Sequence, residues 1–246
     1  MIISIVNHKE GTATTTSAIN ISIGLARQYR KVLLLEMDLQ GDISSALNIT
    51  NQQKSINEVL MGEALFQDVI LQREGIDVVP ANISLVDVEL SMWELENNFY
   101  LLKKHLSVLS KNYDYIIIDC PPSLSLLTLN ALCASDQIII PFKLTVLGVN
   151  SLELMLSTVE KVQKKLNPSL KIMGVLPVIV NKRKNISKEI MDYLTKMINI
   201  RIFKNYIRAN VKASEAALFG MSILEYAPNS SSAIDYKNLV KEIINS

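Results

Sequence analysis

Six short apolar runs constrain the fold more than any other feature of the chain: IISIV, VLLLE, IDVVP, YIIID, QIII and KIMGVLPVIV. Each reads as continuously apolar, without the polar alternation of a half-exposed strand, so each fits a strand buried on both faces. They place strands at 2–6, 32–37, 76–80, 114–118, 137–141 and 172–180. Helical stretches fill the intervals, at 15–29, 55–61, 86–109, 124–134, 148–166, 187–198, 212–219 and 231–244. This alternation, punctuated by short Asn/Asp/Gly/Pro stretches, predicts an α/β fold: a doubly wound, mostly parallel sheet with helices on both faces. The 246 residues are 49% hydrophobic, enough for one domain spanning 1–246 with a large core. No repeat, low-complexity tract or linker divides them.

Several function classes drop out early. No apolar run approaches the ~20 residues of a membrane span. Strand-like sequence begins at Ile2 with no basic leader, so no signal peptide is expected. Two cysteines, Cys120 and Cys133, make no disulfide framework and suit a reducing cytoplasm. Cys133, in ALCASD, reads as a buried helix cysteine, His8 as a loop filler and Trp93 as a packing residue.

The net charge of +1 hides an asymmetry. Residues 1–160 carry 10 Lys/Arg against 18 Asp/Glu, whereas residues 161–212 carry 13 against Glu189 and Asp192 alone, a local charge of +11. Such a segment inside a neutral chain points to a polyanion-facing surface.

In a doubly wound sheet, ligands sit at the carboxyl ends of the strands. The first strand ends in NHKEGTATTT at 7–16, ahead of a helical stretch. Strand, tight loop and helix start form a cradle for phosphate, with Thr15 and Thr16 opening the helix as caps or as Mg²⁺ and phosphate contacts. The second strand ends LLLEMDLQGD, where Asp38 can orient a water and Glu36 lies on the same side of the extended chain. The fourth ends YIIIDCPPS, and Asp119 is a carboxylate at the end of a buried strand, costly unless a cation compensates it. Pro121 and Pro122 force an extended exit.

Together these residues resemble the ParA/Soj partition ATPases, relatives of MinD among the deviant Walker A P-loop NTPases. The family pattern N-Q-K-G-G-V-G-K-T-T-T-A-I-N meets NHKEGTATTTSAIN at 7–20 without a gap. V-L-L-I-D-x-D-P-Q-G-N meets VLLLEMDLQGD, and D-Y-I-I-I-D-C-P-P-S-L-G-L-L-T-L-N-A-L meets DYIIIDCPPSLSLLTLNAL at 114–132 almost letter for letter. GVLPVIVNKRKNIS at 174–187 and ANVKASEAALFGMSILEYAP at 209–228 are similar to further family segments. The resemblance runs essentially end to end, with no helix-turn-helix extension before the first strand.

The resemblance implies an ATP/ADP and Mg²⁺ site. It assigns Lys9 to the signature lysine that reaches a dimer partner's phosphates, and Gly11, Thr12, Ala13, Thr14, Thr15 and Thr16 to the phosphate loop. Thr15 becomes the Mg²⁺-ligating hydroxyl, Asp38 the carboxylate that positions the hydrolytic water, Asp119 the Walker B aspartate and Asn181 a base contact; Thr15, Asp38 and Asp119 form the implied metal set, and Asp38 with Lys9 the catalytic pair. The expected partners are nonspecific DNA, a ParB-like protein and a second copy of the chain in a homodimer; the expected location is the nucleoid-associated cytoplasm. Candidate DNA-phosphate contacts in the basic segment are Arg183, Lys184, Arg201, Lys204, Arg208 and Lys212.

The loop departs from the pattern. Thr14 stands at the Walker A lysine and Glu10 at a glycine; Ala13, Glu36 and Leu39 are milder changes, and Ala209 replaces an arginine beside Arg208. Loss of a phosphate-neutralising cation is expected to cost about 10²–10³ in rate. Glu10 adds bulk and negative charge beside a triphosphate. Two other functions remain: a catalytically inactive DNA- or partner-binding module, and a MinD-like membrane-associated regulator. The ending YKNLVKEIINS, directly after the last helix, disfavours the latter.

Overall fold

A computed structural model describes residues 1–50, 54–181, 185–197 and 199–246. In chain order it contains β1 (Ile2–Ile5), α1 (Thr14–Ala26), β2 (Val32–Glu36), α2 (Asp42–Ala46), α3 (Ile56–Leu60), β3 (Leu71–Arg73), β4 (Ile76–Val79), α4 (Leu85–Met92), α5 (Leu101–Leu109), β5 (Tyr115–Asp119), α6 (Leu126–Ala134), β6 (Gln137–Lys143), α7 (Val146–Lys165), β7 (Lys171–Val178), α8 (Asn185–Met197), α9 (Val211–Leu218), α10 (Ile223–Tyr226) and α11 (Ser231–Ile244).

The sheet runs β3-β4-β2-β5-β1-β6-β7. All neighbours are parallel except the edge pair β3/β4. The strands read as unbroken apolar runs because successive side chains feed two different cores. Leu33 and Leu35 face one core with Ile116, Ile118 and the apolar faces of α5, α6 and α7. Val32 and Leu34 face the other, with Ile3, Ile5, Ile117 and Ile139 against α1 and α11. Helix α1 is buried from Ser17 to Leu25 and lies between the sheet and α11. The apolar face of α11, Ala233, Tyr236, Leu239, Val240 and Ile243, is spent on this core. No helix among the described residues is long and apolar enough to cross a membrane.

Two expectations need correction. The stretch 86–109 is not one helix. It breaks into α4 and α5 around ELENNFY, where Asn97 adopts φ 58, a left-handed conformation that asparagine tolerates, followed by a 3₁₀ turn at Asn98–Tyr100. Trp93, expected to pack, closes α4 and is 56% exposed. The short β3 was not expected; it is a three-residue edge strand, too brief and too polar for a periodicity signal.

The turn from β6 to α7 is tight. A Cβ on Gly148 would lie 2.1 Å from the Lys143 carbonyl oxygen, and Thr145 caps α7 by accepting the Gly148 amide at 3.1 Å. Gly148→Ala is therefore expected to cost about 1–3 kcal/mol by overpacking, measurable as a lower denaturation midpoint with unchanged slope.

Candidate functional site

The topology brings three strand ends together. Ile5 of β1 and Glu36 of β2 both register against Asp119 of β5. The segment after β1 then folds over this point as a compact loop. Gly11 and Ala13 both take left-handed conformations, with φ 66 and φ 55. The Thr12 hydroxyl donates to the Lys9 carbonyl at 2.9 Å, and buried Asn7 accepts the Lys9 amide at 3.1 Å and the Ser151 hydroxyl at 2.6 Å. Helix α1 begins with no side-chain cap, and its first backbone bond runs from the Ser17 amide to the Ala13 carbonyl at 2.9 Å. The amides of 14–16 consequently project from the helix end, where they and the helix dipole favour an anion.

An open cleft of about 570 Å³ lies in front of this helix end. Lys9, Gly11, Ala13, Thr14, Thr15, Thr16 and Asp38 line it, all of them expected from the sequence. Glu10, Gln40, Asp42, Cys120 and Pro122 complete the lining. Thr12 is buried behind the loop, and Asp119 lies beneath the cleft, fully buried. Asn181 is exposed beyond β7 and is not part of the lining. The chain reaches it through Ile179, whose φ of 54 is strained for a β-branched residue.

The carboxylates divide by role. Glu36 accepts the Ile43 amide at 2.6 Å, the Ala81 amide at 2.9 Å and the Ser44 hydroxyl at 3.0 Å, so it ties α2 to the end of β4. Burial raises its pKa to about 7, against the pull of those hydrogen bonds. Asp38 faces the cleft and accepts the Gln40 amide at 3.0 Å. Burial raises its pKa, and the nearby Asp42 and Glu10 add to the rise. Asp119 is the extreme case. Burial drives its carboxyl well above the ordinary range, Thr15 opposes the rise, and Glu36, Asp38 and Asp42 reinforce it. Neither Asp119 oxygen has a hydrogen-bond partner of normal geometry.

A buried, unpartnered carboxylate costs several kcal/mol unless a cation answers it. Asp119 beside Thr15 and beneath an anion-binding helix end therefore fits Mg²⁺. No cluster of three or more His, Cys, Asp or Glu with metal-binding geometry occurs among the described residues.

The basic candidates stand differently. Arg183 and Lys184 lie outside the described residues. Arg208 grips Asp235 with two nitrogens, at 2.9 and 2.7 Å, and donates to the Ser231 carbonyl. Arg201 pairs with Glu242 at 3.2 Å and Lys212 with Glu215 at 2.7 Å. All three acidic partners lie outside 161–212, so the charge count overstated the free positive charge. The Lys204 amide donates to Glu242, and its ammonium has no ion pair among the described residues.

Residues 1–172 match the model of a family described as an AAA domain. The chain is 38% identical over 246 residues to the sporulation initiation inhibitor protein Soj of Bacillus subtilis, covering 98% of this chain and 97% of Soj. It is 34% identical over 249 residues to the chromosome partitioning protein ParA of Caulobacter vibrioides, covering 99% and 93%. Among solved structures, cobyrinic acid a,c-diamide synthase from Mycobacterium smegmatis, with bound ATP analogue and magnesium, superposes with a TM-score of 0.88 at 29% identity, covering 99% of this chain and 94% of that one. The strand order, the loop and helix start over Asp119, and full-length likeness to Soj and ParA converge: the chain belongs to the ParA/Soj family of partition ATPases.

Proposed function

We propose that the protein is an ATP-dependent partition switch whose cleft binds Mg²⁺ with ATP or ADP, and whose hydrolysis is slow. The observation that carries this reading is Asp119, fully buried and unpartnered beneath the uncapped start of α1. The loop amides and the α1 terminus bind and orient the phosphates. Thr15 and Asp119 would hold Mg²⁺, which when bound neutralises phosphate charge. Asp38 holds the attacking water, and its raised pKa suits it to accept a proton. Lys9 adds a cation from the loop, directed in a dimer toward the partner's phosphates. Thr14 cannot supply the cation its position calls for, and its hydroxyl is engaged 3.2 Å from that of Thr12. Titration of the purified protein with ATP and Mg²⁺, followed by single-turnover kinetics, tests the reading. Tight binding with weak turnover supports it; turnover comparable to that of a relative with an intact loop, abolished by Asp38→Ala, overturns the slow-site assignment.

The same reading extends to a homodimer that closes over nucleotide, holds DNA without sequence preference and is released by a ParB-like protein in the nucleoid-associated cytoplasm. Lys204, Arg183, Lys184 and the exposed edges of the paired Arg201, Arg208 and Lys212 are the proposed DNA face. Four phosphate contacts give a salt slope near −3.6, so affinity falls about 10²-fold between 50 and 200 mM salt. Charge reversal at Arg183, Lys184 and Lys204 is expected to weaken DNA binding at least ~10-fold for every sequence tested. Unchanged binding would reassign the basic segment to plain surface. A second reading, a catalytically inactive DNA- or partner-binding module, is favoured by Glu10 at the mouth of the cleft; failure to bind ATP with DNA binding intact would select it.

A further inference from the structure

One cation near the phosphate loop lies outside the family pattern. Strand β6 continues to Lys143, beyond the apolar run that marked it in the sequence. Because β1 and β6 are parallel neighbours, with Ile5 opposite Ile139 and the Val6 amide bonded to the Ile139 carbonyl at 3.1 Å, both strands exit on the same side of the sheet. Buried Asn7 donates to the Pro141 carbonyl and locks the loop against this exit. The half-buried Lys143 side chain then lies against the loop. Its Nζ is 3.4 Å from the point where a Cβ on Gly11 would sit.

The root of this side chain is held firmly. Its carbonyl accepts the Thr145 amide at 2.8 Å, and Gly148 is packed directly against it. Its ammonium has no ion-pair partner among the described residues, whereas Lys164, Arg201, Arg208 and Lys212 all have one. The amine approaches the loop from the β6 side and lies beside Gly11, which itself lines the cleft. The unpartnered Asp119 beneath the cleft independently marks this place as built for a ligand.

We propose that Lys143 is a phosphate-binding residue, supplying from β6 the positive charge that Thr14 cannot. Its ligand is the polyphosphate tail of a nucleoside triphosphate. The inference rests on the nucleotide-binding reading above. It accounts for a loop that carries Glu10 yet remains a phosphate cradle: the charge has moved from the first turn of α1 to the neighbouring strand end.

The test is equilibrium binding of ATP, in Mg²⁺, to the wild-type chain, Lys143→Gln, Lys143→Arg, Thr14→Lys and the Thr14→Lys/Lys143→Gln double variant. Thermal melts of the nucleotide-free proteins check folding. Lys143→Gln is expected to weaken ATP binding about 10-fold or more, and Lys143→Arg to stay within about threefold of wild type. With Thr14→Lys present, loss of Lys143 is expected to cost less than about threefold, because the two cations serve the same phosphates. Equal losses with and without Thr14→Lys overturn the proposal. So does Lys143→Gln binding within about twofold of wild type, or Lys143→Arg failing as badly as Lys143→Gln. Absence of ATP binding by the wild-type chain would overturn the nucleotide reading itself; wild-type binding untouched by Lys143→Gln would overturn this inference alone.

Discussion

Asp119→Asn is expected to stabilise the nucleotide-free protein while abolishing its Mg²⁺-dependent grip on nucleotide. Asp119 is fully buried with both oxygens unpartnered, and three further carboxylates, Glu36, Asp38 and Asp42, raise its pKa. A carboxyl whose folded pKa lies above its unfolded value binds its proton more tightly in the native state. Its penalty is absent below about pH 4 and grows as pH rises toward the folded pKa. Asparagine has nearly the same shape and no charge to bury, so the variant gains on the order of 1–3 kcal/mol at pH 8, net of its own unsatisfied amide. For a chain of this size that is about 2–12 °C in Tm. The gap should close as pH falls toward the unfolded carboxylate value near pH 4. Adding Mg²⁺ with ATP should raise the Tm of the wild type and leave the variant unmoved. A variant no more stable than wild type at pH 8 would show that Asp119 is compensated within the chain and is not waiting for a cation. The trade of stability for a poised site is common where function needs an uncompensated charge.

Most of the architecture was legible because it rests on period and position. All six expected strands formed within two residues of their bounds, since a run buried on both faces needs only apolar residues in series. Asp38 and Asp119 could be placed as cleft and floor because a doubly wound sheet delivers its strand ends to one crevice. What escaped was set by tertiary contact. Nothing in WELENNFYLL announces the left-handed Asn97 that divides α4 from α5. Glu36 looked like a partner for Asp38, yet its oxygens are spent on the amides of Ile43 and Ala81, one of them 45 residues away. The basic segment looked like free charge because two of its counter-ions, Asp235 and Glu242, come from the C-terminal helix that folds back on it, while Glu215 lies just past its end and pairs with Lys212 within α9. Lys143 was hidden for the same reason: its neighbour across the strand is a loop 132 positions earlier in the chain.

Thr14→Lys combined with Glu10→Gly is expected to raise ATP turnover by about 10²–10³-fold. The local structure can take both changes. Thr14 occupies the first position of α1, half-buried at the cleft, and its hydroxyl makes one neutral contact, with Thr12. Losing that contact costs roughly 1 kcal/mol, and lysine is the better helix former. Glu10 is exposed in the loop, with no hydrogen bond or ion pair among the described residues. The electrostatic effects act in one direction. A lysine at position 14 brings a cation to the phosphates, and removing Glu10 takes away a charge that raises the pKa of Asp38. The acid limb of the rate profile should therefore move to lower pH: Asp38 works when ionised, activity climbs as pH rises through its folded pKa, and that pKa falls when Glu10 is gone. Multiple-turnover phosphate release across pH 5–9 reads both effects at once. Asp38→Ala added to the double variant should erase the gain, which ties it to the same water. If the double variant binds ATP tightly but turns over no faster than the wild type, the slow step lies outside this loop, in dimer closure or product release.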